Sequence, residues 1–419
     1  MSSGSAAYRK EAEETQIMGS VLVIGGGAAG LAAAIAAAEC GDTVTVAEKM
    51  DRVGKKILAT GNGRCNLSNL HASPAHYHGA AVDFCRPALE CFPSEETLGW
   101  FERLGLLTAA EPSGRVYPAS NMAGSVLDVL RYALERPEIE LRTGCVITQL
   151  RHRGGAFTAR MENGETLTAE RVILAAGGAA GSRVGGVMDG YQLAKQLGHH
   201  RTALLPSLVQ MKTDPTYPRG LKGVKAEADV RVLRGREVLA QGRGEILFTE
   251  YGVSGPAIFD LSRAVSTGGE GLLLTLDLLP QLDMAGTLRW LRERQASLGA
   301  HEAALLLTGS VHTRLGQTVV KRAGFTSQPV SSLTEDALWR IAAGLHSFTL
   351  PVTGVCGFDQ AQVTAGGLRT EEFDPRTMQS LLVPGLYACG EVLDIDGDCG
   401  GYNLQWAWSS GRLAGLLAD

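Results

Sequence analysis

The segment Gly25-Gly26-Gly27-Ala28-Ala29-Gly30 follows directly on the apolar run Val21-Leu22-Val23-Ile24 and opens an alanine-rich stretch ending at Cys40. Thr43 to Ala47 then reads as a second strand. Strand, glycine turn, helix and strand in that order make a βαβ unit, and G-x-G-x-x-G at its first crossing restricts the unit to dinucleotide-binding geometry. Gly25 permits the tight turn, Gly27 lets the backbone approach a pyrophosphate, and Gly30 lets the helix close on the strand. Ala28 and Ala29 begin the helix whose N-terminus faces the anion. Glu48, at the end of the second strand, stands where a carboxylate accepts hydrogen bonds from an adenosine ribose.

NAD and FAD share this fingerprint, so the dinucleotide is identified elsewhere. Val172 to Ala176 is a second apolar run, entering Gly177-Gly178, and Leu386 to Cys389 is a late one, entering Gly390-Glu391. FAD proteins of the two-dinucleotide-binding type have such a return strand, here ending at Ala176 and Gly177. They also have such a late glycine-acid turn, whose backbone and carboxylate reach the flavin. The expected fold class is therefore α/β, a Rossmann-like two-dinucleotide-binding-type FAD domain with an inserted β-rich domain and a helical cap. No second strand-anchored G-x-G-x-x-G is present to build a nicotinamide domain. NAD(P)H is accordingly expected as a transient co-substrate that leaves the cleft before the second substrate enters, which gives ping-pong kinetics.

A chain of 419 residues has room for two or three domains. Residues 1–18 are polar, lack the apolar core of a signal peptide, and read as a flexible N-terminal arm. Residues 19–190 and 350–419 are assigned to the FAD-binding domain, with a proline-broken insertion from Pro74 to Glu135 and a β meander from Cys145 to Leu174 that turns at Asn163-Gly164. Segments such as Ala228 to Leu233 and Glu245 to Phe248 place a β-rich substrate domain at 191–280 and 325–349. Leu288, Leu291, Leu305 and Leu306 place a helical cap at 281–324.

The formal charge of −5 and pI near 6.0 are spread without a basic block, so the expected partner is a small molecule and not nucleic acid or membrane. Eight cysteines without a C-x-x-C pair read as thiols of a reducing, cytoplasmic setting. Glu250 and Tyr251, in the expected substrate domain, are the candidate acid/base pair. Lys55 and Lys56 are candidates to neutralise a phosphate. Cys65 has no partner cysteine close in sequence and reads as a small buried thiol. His199-His200 has no further ligand pattern beside it, so no metal is expected.

Two longer stretches remain, Gly54-Lys55-Lys56-Ile57-Leu58-Ala59-Thr60-Gly61-Asn62-Gly63-Arg64-Cys65-Asn66-Leu67-Ser68-Asn69 and Gly400-Gly401-Tyr402-Asn403-Leu404-Gln405-Trp406-Ala407-Trp408-Ser409-Ser410-Gly411. Gly114-Arg115-Val116-Tyr117-Pro118, Leu247-Phe248-Thr249, Ser254-Gly255-Pro256, Thr364-Ala365-Gly366-Gly367 and Gly390-Glu391-Val392-Leu393-Asp394 accompany them. With these motifs the chain closely resembles the BaiN/RdsA (YhiN-like) NAD(P)/FAD-dependent oxidoreductases, from about Val21 to Gly415. The resemblance implies non-covalent FAD held by Ala29, Glu48, Lys49, the loop carrying Thr60, Gly61, Gly63, Arg64, Cys65 and Asn66, and Val146 through its backbone. It adds Gly390, Glu391, Asp394 and the turn from Gly401 through Tyr402, Asn403, Leu404 and Gln405. Backbone N–H groups at the head of a helix starting near Asn403 would stabilise negative charge on the N1 and O2 side of reduced flavin. Gln379 stands where the family has an acid, and Asp398-Cys399 where many members have a small uncharged pair.

As activity, the resemblance implies NAD(P)H-linked reduction of a conjugated carbon–carbon double bond in a 3-oxo steroid such as a 3-dehydro-bile acid. A flavin oxidase of a small amine, aminoacetone or an amino acid, releasing peroxide, is the alternative among enzymes. A non-catalytic or RNA-modification-related flavoprotein is the alternative of a different class.

Overall fold

The computed structural model describes residues 19–418, and the expected arm at 1–18 lies outside the described residues. The chain forms two compact units. Of the described residues, one comprises 19–178, Val187–Thr202 and 366–418; the other comprises Ala179–Gly186 and Ala203–Ala365.

The first unit is built on a five-stranded parallel sheet in the order Leu386–Ala388, Arg171–Leu174, Ser20–Ile24, Thr43–Ala47, Ile139–Arg142. Val21 to Val23, Val172 to Leu174 and Leu386 to Ala388 are all buried. Strands covered on both faces read as continuous apolar runs, which is why these segments do not alternate. Because the strands run parallel, their carboxyl ends share one edge, and the glycine turns after Ile24, Leu174 and Ala388 gather there. The antiparallel meander Ile147–Arg153, Ala156–Met161, Thr166–Ala169 has the alternating burial of a one-sided sheet. The insertion contributes the helices Arg86–Cys91, Ser94–Arg103 and Ala123–Ala133.

The last helix, Tyr402–Gly415, lies on the first, Ala28–Glu39. A Cβ at Gly411 or Gly415 would overlap the carbonyl oxygens of Ala29 and Ala33, so these two glycines let the helix backbones touch.

The second unit contains a closed antiparallel barrel of Met211–Thr213, Gly252–Ser254, Glu237–Phe248, Lys225–Arg234, Leu272–Asp277 and Phe348–Val355. Closure leaves no strand edge exposed to another chain. The helices Met284–Leu298, Thr313–Arg322 and Glu335–His346 bury Leu291, Leu315, Val319 and Ile341 in one core with the barrel residues Val230, Ile246, Leu274 and Phe348. The helical segment 281–324 packs on the barrel and shares its core. The chain returns to the first unit at Gly366, beyond residue 350, because Phe348–Val355 closes the barrel. The helix Asp189–Gln196 belongs to the first unit, where the Gln196 side chain accepts a hydrogen bond from the Leu150 N–H of the meander at 2.9 Å.

Candidate cofactor site

The three glycines of the first turn play three different parts. Gly25 has φ +110°, and a Cβ there would overlap the Ala175 carbonyl. A Cβ on Gly30 would overlap the Gly25 carbonyl oxygen. At Gly27 a Cβ would meet nothing within 4 Å, so this position is open. The helix that Gly27 caps has no side-chain cap and no acid in its first turn, leaving the N–H groups around Ala28 and Ala29 available to an anion. Glu48 is buried at the same edge: its Oε2 accepts from the Gly26 N–H and its Oε1 from the Met50 N–H, both at 2.7 Å. The carboxylate is thereby fixed beside the turn with lone pairs to spare.

Two further turns meet this one. Ala176 and Gly177 follow the return strand, with Gly177 at φ +71° and open space where its Cβ would be. Gly390, at φ +75°, stands against Ala29, its N–H donating to Ser410 Oγ at 3.0 Å and its carbonyl accepting from Trp406 Nε1 at 3.1 Å. Asp394 is buried, and its Oδ2 accepts from the Ala80 N–H at 3.3 Å. The Val146 carbonyl is taken by the Glu162 N–H of the meander at 2.9 Å.

The loop after the short helix Lys55–Ala59 is wound from left-handed residues, with φ +55° at Gly61 and Asn62, +85° at Gly63 and +61° at Cys65. It is pinned locally by the Cys65 N–H on the Thr60 carbonyl at 3.1 Å and by Thr60 Oγ1 on the Ile57 carbonyl at 2.7 Å. Arg64 lies over the Tyr117 ring at 3.9 Å and bonds Asn121 at 3.0 Å. Cys65 is fully buried, and burial pushes its thiol up to about 11. Asn66 Oδ1 is buried without a hydrogen-bond partner and faces Gly401, where a Cβ would stand 2.8 Å away. The lysines have carboxylate partners: Lys49 with Asp189 at 3.6 Å, Lys55 with Asp51 at 2.5 Å and Lys56 with Glu391 at 2.6 Å.

Gly401, at φ +99°, caps the helix Tyr402–Gly415, which likewise has no side-chain cap and no acid in its first turn. Its side chains are committed to the protein. Asn403 exchanges two hydrogen bonds with Gly397, at 2.8 and 2.7 Å. Gln405 is buried, accepting from Ser68 Oγ at 2.6 Å and donating to Thr97 Oγ1 at 2.8 Å and Ser409 Oγ at 2.9 Å. Leu404 is half-buried, and the Tyr402 carbonyl accepts from Tyr77 Oη at 2.9 Å. What this helix start offers a ligand is its backbone.

The model of the HI0933-like protein Rossmann domain matches residues 19–417. The chain is a member of the HI0933-like family. This HI0933-like chain is 38% identical over 407 residues to the 3-dehydro-bile acid delta(4,6)-reductase of Clostridium scindens, covering 96% of this chain and 99% of that protein. It is 30% identical over 396 residues to the ribosomal RNA dihydrouridine synthase of Escherichia coli, covering 93% and 95%. Among solved structures, the 3-ketosteroid delta1-dehydrogenase of Sterolibacterium denitrificans superposes with a TM-score of 0.50 at 15% identity, over 95% of this chain and 99% of that one, a likeness of fold.

In the HI0933-like chain the candidate acid/base pair is not joined. Glu250 is exposed and pairs with Lys222 at 2.8 Å, a hydrogen bond that holds its carboxyl below the ordinary range. Tyr251 instead donates to Gln210 Oε1 at 3.3 Å, and burial raises its phenol. His199 and His200 both bond Glu372, each at 2.8 Å, and His199 Nε2 meets Ser380 Oγ at 2.8 Å, a structural network. Sequence reading missed a second His-carboxylate cluster, His76 and His78 on Asp398, because the partners are separated by 322 and 320 residues. Its one local signal was the His-x-His spacing, which puts both imidazoles on one side of an extended segment.

Proposed function

We propose that the chain binds FAD non-covalently along the carboxyl edge of the parallel sheet and reduces a carbon–carbon double bond conjugated to a carbonyl, with NAD(P)H as hydride source. The observation that carries the reading is the pair of uncapped helix starts. Gly411 lies on Ala29, and nine residues separate it from Tyr402, so the two starts stand about 14 Å apart along the last helix at 1.5 Å per residue. A ligand that uses both must be long, anionic near one and electron-rich near the other.

FAD meets that description. Gly25, Gly27, Ala28, Ala29 and Gly30 would hold its pyrophosphate, and Glu48 the ribose. Ala176, Gly177, Gly390, Glu391, Asp394 and Val146 would line its length. The loop from Thr60 to Asn66 would meet the flavin together with Gly401 and the backbone of Tyr402 to Gln405, the otherwise unpartnered Asn66 Oδ1 accepting from it. When bound, FAD supplies the hydride-transfer chemistry. The chain supplies orientation, N–H groups that stabilise negative charge at the helix start, exclusion of water and a proton.

For the substrate, the 38%-identical relative named a bile acid reductase favours a 3-oxo steroid. The 30%-identical relative named a ribosomal RNA dihydrouridine synthase favours a second reading, reduction of a uracil ring in RNA, whose double bond is likewise conjugated to a carbonyl. The test is an anaerobic titration of the purified yellow protein with NADH and then NADPH, followed by a 3-oxo-4-ene steroid or by transcribed ribosomal RNA. Bleaching by a nicotinamide and recovery with the steroid supports the first reading, and recovery with RNA alone the second. Bleaching only by an amine, with peroxide released in air, overturns both in favour of an oxidase.

A further inference from the structure

Asp396 and Gly397 pair antiparallel with His78 and Tyr77, and the Asp398 N–H continues the ladder to the His76 carbonyl at 3.0 Å. The Asp398 carboxylate then bridges two imidazoles, Oδ2 to His76 Nδ1 at 3.1 Å and Oδ1 to His78 Nε2 at 2.8 Å. Burial works against the charge on Asp398, and the hydrogen bonds from His78 and His76 outweigh it, keeping the carboxyl below its ordinary range. All three side chains are about one-third exposed, at 31–38%.

The His76 ring lies flat on the ring of Tyr402, the first residue of the last helix, at 4.4 Å between centroids and 15° between planes. With Nδ1 bonded to Asp398, the ring's other nitrogen, Nε2, is the one left to face a ligand. The cluster thus sits against the helix start that the proposed function places at the flavin, and it belongs to neither the glycine turns nor the barrel.

We propose that His76 is the proton donor of the reduction and that Asp398, shared with His78, is its positioning residue. The inference rests on the reading that a conjugated double bond is reduced. Hydride, originating from NAD(P)H, bonds to the β-carbon; the π bond breaks and its electron pair moves to the enolate. The Nε2–H bond of the His76 imidazolium then breaks and its proton forms the C–H bond at the α-carbon. His76 is left neutral, still donating Nδ1–H to Asp398, and takes its next proton from water. The carboxylate fixes the ring orientation and the tautomer that keep Nε2 toward the substrate.

Stopped-flow half-reactions of wild type, H76Q, H78Q, D398N and D398E, read by flavin absorbance, separate this role from a structural one. In H76Q, flavin reduction by NAD(P)H should stay within about 2-fold, while reoxidation by a 3-oxo-4-ene steroid slows at least 100-fold, the order of a lost general acid. Added imidazole should restore it. D398N should lower the steroid-dependent rate with KM unchanged, and D398E should regain most of it. In the apoprotein, long-range ¹H–¹⁵N spectra should give His76 as the Nδ1–H tautomer in wild type and lose that preference in D398N. Unchanged reoxidation in H76Q, a loss carried by H78Q alone, a loss of both half-reactions without imidazole rescue, or the opposite His76 tautomer overturns the proposal. A wild-type protein that NAD(P)H reduces but no conjugated carbonyl compound reoxidises overturns the function reading itself, and this inference with it.

Discussion

At the scale of single residues, the clearest division is between glycines where the fold leaves no room for a Cβ and glycines where the space is open. Gly27→Ala puts a methyl into open space, so stability should change by no more than about 1 kcal/mol, the usual penalty of alanine at a helix N-cap, while FAD affinity falls. Gly30→Ala forces a methyl onto the Gly25 carbonyl and should destabilise by about 3 kcal/mol. Urea unfolding of the two apoproteins beside flavin fluorescence titrations checks both, and equal stability losses would contradict the assignment. Cys65 sits inside the candidate site yet is buried with its thiol pushed up to about 11. At pH 8 it should resist iodoacetamide in the folded protein while exposed Cys91 reacts, as peptide mass mapping would show. The motif spacing of the glycines and Glu48 was legible because each acts through its own backbone or over a short span. The Gln405 network and the Asp398 cluster were not, because their partners come from more than 300 residues away.

At the scale of elements, the segment after Gly366 is fastened to the end of the helix Asp189–Gln196 by His199. Burial first, against the opposing hydrogen bond that His199 donates to Glu372, holds the His199 pKa below its ordinary 6.5. Glu372 is also lowered, because the bonds from His200 and His199 outweigh its own burial. Both directions describe a neutral His199 donating Nδ1–H to a carboxylate, with Ser380 Oγ donating to Nε2. Below pH 6.5 the unfolded chain takes up a proton that the folded His199 refuses, so this contribution is fully present above 6.5 and declines as pH falls toward the folded pKa. The unfolding midpoint should therefore drop as pH falls below 6.5, with a shallower slope in H199Q than in wild type. Identical slopes would assign the acid sensitivity elsewhere. The last helix makes the complementary case: its sequence reads as helix from Tyr402 onward, but only packing shows that Gly411 and Gly415 bring it onto Ala29 and Ala33, setting the separation of the two helix starts.

At the scale of the whole molecule, the parallel sheet gathers three glycine turns from residues 25, 177 and 390 at one edge. A ligand spanning them links distant segments that the unfolded chain leaves apart. FAD at 100 times its Kd should therefore raise the stability of the apoprotein by about 2.7 kcal/mol. Tryptophan fluorescence is suited to following it, since buried Trp406 and Trp408 lie on the helix that starts at the site. No dependence of the midpoint on FAD concentration would count against the cofactor assignment. Among the described residues no helix is long and apolar enough to cross a membrane. The sequence by itself determined the βαβ unit, the return and late strands, the β meander and the glycine geometry, because these depend on periodicity and on backbone freedom within a few residues. Only the tertiary structure decided that the barrel and the 281–324 helices share one core, that Glu250 pairs with Lys222 and not with Tyr251, and that His76 and His78 meet at Asp398. Those outcomes follow from the closure of a sheet and the burial of helix faces, which bring together side chains that no local pattern relates.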